Sequence, residues 1–131
     1  MRYLLALCLL FPLTLHAATT EKIAVQFFNT LQKGQISAAY EQLLTGSVIL
    51  RDQPQALTLL VNQTQNEFAL NGKMIGYELI DHDDFGQSVD RLRYIVMQEN
   101  IPTLWELYFY KPKADWFITH ISFSPQLDKL Q

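Results

Sequence analysis

The sequence predicts an α+β domain in which three N-terminal helices pack on a curved antiparallel sheet of about four strands, cone-like in shape. Three observations predict it. Apolar residues recur at helical spacing as far as Asn71, the period changes to alternation from Met74 onward, and short turn clusters interrupt the alternating part at regular intervals. Helices first and a meander afterwards is the order in which helices cover one face of an antiparallel sheet.

The first helix is expected from about Glu21 to Lys33. Thr20 supplies a cap, Glu21 complements the positive end of the dipole, and Gly34 closes it. Ile23, Ala24, Phe27, Phe28 and Leu31 fall on one face. A second, shorter helix is expected from about Ser37 to Leu44, stopping at Gly46, and Ser47 to Leu50 reads as a short edge strand. Asp52 with Gln55 three residues later forms a capping-box pattern for the third helix, whose inner face carries Leu57, Leu60, Val61, Thr64 and Phe68 and which closes at Asn71-Gly72.

Four strands follow, at about Ile75 to His82, Ser88 to Gln98, Thr103 to Lys111 and Trp116 to Phe123. Their connections, Asp83-Asp84-Phe85-Gly86, Glu99-Asn100-Ile101-Pro102 and Pro112-Lys113-Ala114-Asp115, are short enough for antiparallel hairpins. Alternation assigns Leu92, Tyr94, Val96, Trp105, Leu107, Phe109, Phe117, Ile121 and Phe123 to the face that meets the helices. The opposite face receives Arg91, Arg93, Glu106, Tyr108, Tyr110, Trp116, Ile118 and His120, an unusually aromatic set for a face left to water. Residues 126–131 read as a frayed tail.

Ahead of this domain, Arg2, the apolar run from Tyr3 to Leu15 and the Leu15-His16-Ala17 end have the order of a secretory signal peptide over residues 1–17, cut after Ala17. The run is too short to span a bilayer, which takes about 20 residues. Cleavage there leaves 114 residues, read as a single domain over 18–125 followed by the tail. It removes one of the 10 basic residues and none of the 13 acidic ones, taking the net charge from −3 to −4. An acidic chain without a basic run is a poor match for nucleic acid, and no second apolar stretch approaches membrane-spanning length, so no membrane insertion is expected after processing. The single cysteine, Cys8, lies within the signal and Leu7 precedes it, which does not fit a lipoprotein site. The processed chain is then cysteine-free, with no disulfide and no thiolate metal site, in a compartment read as the bacterial periplasm.

The residues Phe27-Phe28-x-x-Leu31-x-x-Gly34, Ala39-Tyr40-x-x-Leu43, Trp105-Glu106-Leu107-Tyr108-Phe109 and Trp116-Phe117-Ile118 carry a resemblance. In these motifs and in the order of its elements the chain resembles a small secreted member of the nuclear-transport-factor-2-like superfamily, the cystatin-like cone fold. The resemblance implies a sheet curved around helices, a cone with one open end, and frequent dimerisation through the outer sheet face. The matching residues are core and turn positions, and no acid–base pair of the enzymatic members maps onto this chain, so no catalytic residue is transferred.

The candidate sites are therefore weighed residue by residue. Tyr40, Tyr94, Trp105 and Phe109 would line a ligand pocket at the open end of the cone, with the tyrosine hydroxyls as its polar contacts; the competing reading is that they fill the core. Tyr108, Tyr110, Trp116 and Ile118 are the expected dimer interface. Asp81-His82-Asp83-Asp84 offers three carboxylates and an imidazole, suited to a cation or to acid–base work, or else is a charged hairpin loop. Its spacing matches no calcium loop, and with no Gly-rich phosphate loop, nucleophile elbow or HExxH anywhere, neither a metal nor a cofactor is expected. Arg91, Arg93 and Glu106 read as cross-strand charge pairs.

The leading expectation is a periplasmic, non-enzymatic binding or protein-interaction domain that forms a homodimer through its outer sheet face. Two alternatives stand beside it. One is a small isomerase or hydrolase of a hydrophobic substrate working in the cone; the other is a component of an envelope assembly.

Overall fold

The helical half forms where apolar spacing and local capping agree. The computed structural model describes residues 19–130. The signal peptide and its cut after Ala17 lie outside the described residues, as does Gln131. Helix α1 (Thr20–Gln32) starts on Thr19, whose side chain accepts from Lys22 N, and buries Ala24, Phe27, Phe28 and Leu31. Helix α2 (Ile36–Leu43) buries Ala39, Tyr40 and Leu43. Helix α4 (Gln55–Asn71) contributes Val61 and Thr64 to the interior, with Leu57, Leu60 and Phe68 partly buried beside them.

Between α2 and α4 the structure departs from expectation. Ser47 to Leu50 do not form a strand: Val48–Asp52 is a short helix, α3. The Ser47 hydroxyl decides this, because it accepts from Ile49 N at 3.1 Å while donating to Ile118 O at 2.8 Å. Asp52 consequently ends α3 instead of capping α4. Its carboxylate is held by the neighbouring Arg51 guanidinium at 2.9 Å, and α4 begins behind Pro54 without a side-chain cap. Four α-helices, not three, are therefore present among the described residues.

The sheet is an antiparallel meander in the order β1-β2-β3-β4, built from β1 (Met74–Phe85), β2 (Val89–Gln98), β3 (Pro102–Tyr110) and β4 (Phe117–Ser124). Its inner face meets the helices around Leu92, Tyr94, Val96, Trp105, Leu107 and Phe109, each at most 2% exposed. Strand β1 runs further than expected, through Asp81-His82-Asp83-Asp84 to Phe85. Asp is a poor strand former. Here Asp81 and Asp83 lie opposite Arg93 and Arg91 on β2 and pair with them, which offsets that preference.

A bulge in β4 changes the face of one strand end. Tyr108 faces His120 and Phe109 faces Ile118, so Thr119 is the extra residue. Its hydroxyl donates to Tyr108 O. Ile121 and Phe123 keep the inward orientation that alternation assigns, but ahead of the bulge the phase is reversed. Ile118 points into the core and is 1% exposed. The tail is likewise ordered locally: Leu127–Leu130 is a 3-10 turn packed back against β3. No helix among the described residues is long and apolar enough to cross a membrane.

Candidate functional site

The densest polar constellation joins the start of α1 to the β1–β2 hairpin. His82, on the inner side of β1 opposite Leu92, places Nδ1 2.8 Å from Glu21 Oε1 and Nε2 2.9 Å from Asp90 Oδ2. Asp84 Oδ1 lies 3.3 Å from the same Nε2. The Thr20 hydroxyl donates to Asp90 Oδ2 at 2.6 Å. Carboxylates accept and do not donate, so an imidazole that bonds through both nitrogens donates through both and is the cation.

The electrostatics follow from that geometry. Partial burial of His82 opposes its charge, but the hydrogen bonds to Glu21 and Asp90 and the charges of Asp90 and Asp84 outweigh it, raising its pKa above the usual 6.5. Burial likewise works against the charge of Asp90, whose side chain is 10% exposed. The hydrogen bonds from Thr20 and His82 prevail and hold Asp90 below the usual carboxylate range. His82, Asp84 and Asp90 offer ligand atoms within 4.8 Å of one another, near enough for a cation. The imidazolium itself occupies the centre of the carboxylates and serves as their counter-ion.

The proposed pocket residues lie elsewhere and are packed solid. Tyr40 is 0% exposed, Tyr94 2%, and Trp105 and Phe109 both 0%. Tyr40 meets Phe27 edge-on at 5.1 Å, Tyr94 leans on Phe28 at 4.6 Å, and Trp105 stacks on Phe123 at 4.4 Å. Their polar handles are used internally. Thr64 gives its hydroxyl hydrogen to Leu60 O, so Tyr40 is the donor in the 2.7 Å bond to Thr64. Burial drives the Tyr40 phenol far upward and the Tyr94 phenol to about 12, the charges of Glu21 and Tyr77 adding to the latter. Trp105 Nε1 donates to Thr103, Thr103 donates to Gln98, and Gln98 donates to Gly72 O. These four residues fill the core; the open cone that would make them a ligand pocket is occupied by their own side chains.

The expected interface residues divide. Tyr108 stands on the outer sheet face in T-shaped contact with His120, ring centroids 5.6 Å apart. Tyr110, 44% exposed, lies at the end of the same strand. Trp116 is partly buried, packs against the core and receives the Lys111 ammonium 5.0 Å above its ring. Ile118 leaves the set altogether, because the bulge at Thr119 turns it inward.

What does occupy the outer face is a charge ladder in two rows. Asp83, Arg91, Tyr108 and His120 lie side by side across the four strands, and Asp81, Arg93, Glu106 and Ser122 form the row beside it. Arg91 Nη2 donates to Asp83 at 2.6 Å, and Arg93 pairs with Asp81. Arg91 and Arg93 thus form cross-strand charge pairs whose partners here are the β1 carboxylates Asp83 and Asp81. Glu21, Thr20 and Asp90 were not anticipated as members of any site. One signal pointed to Asp90: it falls in phase with Leu92, Tyr94 and Val96, an acid placed on the core face by alternation.

Compared with known proteins, the chain matches no family model, no curated protein and no solved structure.

Proposed function

We propose that this chain is a secreted, periplasmic interaction domain of the cone-fold type that acts without catalysis and pairs with a second copy of itself through the outer sheet face. The observation that supports this reading is the charge pattern of that face. Strand β1 presents Glu78, Asp81 and Asp83, β2 presents Arg91 and Arg93, β3 presents Glu106 and Tyr108, and β4 presents His120. A two-fold axis running along the strands between β2 and β3 lays the arginines of one copy over Glu106 and Tyr108 of the other. The same operation sets the acidic β1 column against His120. The face is self-complementary under that operation, as an isologous interface has to be. An enzymatic reading in the cone finds less support, since the four candidate pocket residues are core and both nitrogens of His82 already face carboxylates.

Sedimentation velocity on the protein recovered from a bacterial periplasm tests the proposal, and the mass of the same sample reports the cut after Ala17. The expected result is a dimer that Tyr108→Asp converts to a folded monomer. A wild-type protein that stays monomeric as its concentration is raised overturns the interface, and so does a Tyr108→Asp variant that remains dimeric.

A further inference from the structure

We propose that a hollow at the edge of the sheet, between α3 and the β3–β4 turn, binds a single-chain amphiphile with an anionic head group. The hollow has a volume of about 540 Å³, within the range of roughly 300–1,000 Å³ usual for small-molecule sites. Its walls are apolar. Val48 comes from α3, Tyr110 and Pro112 from the end of β3 and the turn, and Phe117 from the start of β4. The Phe117 ring lies over Gly46, where a Cβ would stand 2.6 Å from its nearest carbon, so the absence of a side chain at 46 lets the ring settle into the wall. Val48 is 50% exposed and Tyr110 44%, leaving apolar surface for a hydrocarbon chain to cover.

Charge selects the head group. The charged side chains lining the hollow are Arg51 and Lys113; no carboxylate is among them. A cationic rim around an apolar hollow is not the default on a chain whose net charge is −3. Arg51 is partly compensated by Asp52, which grips its Nε at 2.9 Å and fixes its orientation. Lys113 makes no ion pair among the described residues and carries the larger share of the attraction. A hydrocarbon tail on Val48, Tyr110, Pro112 and Phe117 with its anionic end between Arg51 and Lys113 satisfies both halves of the site. The hollow borders the outer sheet face at Tyr110, two residues along β3 from Tyr108, while Val48, Arg51 and Lys113 come from α3 and the β3–β4 turn.

Isothermal titration and amide NMR with four twelve-carbon probes below their micelle concentrations test the proposal. The probes are dodecanoate, dodecyl phosphate, dodecyl maltoside and dodecyltrimethylammonium. Saturable 1:1 binding of the two anionic probes is expected, with shifts centred on Val48 and Phe117 and with the neutral and cationic probes weaker by about tenfold or more. Lys113→Glu should weaken the anionic probes by about tenfold, which corresponds to about 1.4 kcal/mol, and Val48→Asp should abolish the shifts. Circular dichroism and thermal melting confirm that both variants fold. A preference for dodecanoate points to a fatty carboxylate, and one for dodecyl phosphate to a phosphate-bearing lipid. Equal binding of all four probes, shifts spread over the whole surface, or an unchanged affinity in Lys113→Glu overturns the proposal.

Discussion

His82 and Asp90 face each other across the β1–β2 hairpin with Nε2 2.9 Å from Oδ2, and the same carboxylate oxygen receives the Thr20 hydroxyl at 2.6 Å. This one oxygen therefore ties the first turn of α1 to both strands of the hairpin. With Glu21 on the other side of the imidazole, the clasp joins residues 61 and 70 positions apart in sequence. Its charges make the joint depend on pH.

The His82 pKa is raised, so its contribution to stability is fully present below the unfolded value near 6.5 and fades as pH rises through the higher folded value. Asp90 works the other way. Its pKa is lowered, so its contribution is present above the unfolded carboxylate value and is lost as pH falls through the folded one. Both act between about pH 4 and 6.5. Thermal melts of wild type and His82→Gln should differ most in that window, by about 0.5–1 kcal/mol given the partial exposure of the imidazole. The difference should narrow from pH 7 to 9; a constant or widening gap would show that His82 is not the charged partner described.

Thr20→Val removes a donor to a buried carboxylate while keeping the side-chain shape. Thr20 is 1% exposed, so the loss should be about 1–3 kcal/mol in urea unfolding. Unlike the His82 effect, it should persist undiminished from pH 6 to 9. It should shrink only in acid, as Asp90 takes up its proton.

Gly46 and Gly34 offer a paired test of local strain. Both have positive φ, +79° and +80°, but a Cβ at 46 meets the Phe117 ring whereas one at 34 meets nothing within 4 Å. Gly34→Ala should cost about 1 kcal/mol from backbone strain alone. Gly46→Ala should cost more than that, by an amount set by how far the ring can move. Equal losses in chemical denaturation would mean that the Phe117 contact carries no energy.

Trp105→Ala should destabilise by about 3–5 kcal/mol, since the indole is fully buried against Phe27, Phe28 and Phe123. Tyr40→Phe removes only the bond to Thr64, worth about 0.5–1.5 kcal/mol. Reversible unfolding of both variants measures the ratio. A Trp105→Ala loss as small as that of Tyr40→Phe would indicate a loosely packed cone instead of a filled one.

Most of the fold is legible in the sequence because burial imposes a period. Phe27, Phe28 and Leu31 are spaced for one helix face, and Leu92, Tyr94 and Val96 for one strand face, and each set is buried as its spacing requires. The errors fall where a local bond overrides the pattern. Ser47 turns a β-branched run into α3 by capping it, Arg51 takes Asp52 away from its capping box, and paired arginines carry β1 past His82 through Asp83, Asp84 and Phe85, which read as a hairpin turn.

By itself, then, the sequence determined the α+β class, the succession of three longer helices and a four-stranded meander, and most of the core, since periodicity and turn chemistry act over a few residues. Only the tertiary structure decided which side chains meet. One inserted residue at Thr119 sends Ile118 from the outer face into the core, because strand faces alternate with a period of two. Glu21 and Thr20 reach His82 and Asp90 only because α1 packs on the hairpin, and a contact over that separation leaves no trace in local spacing. The same holds for the core, whose filling depends on side-chain volumes contributed by three helices and all four strands at once.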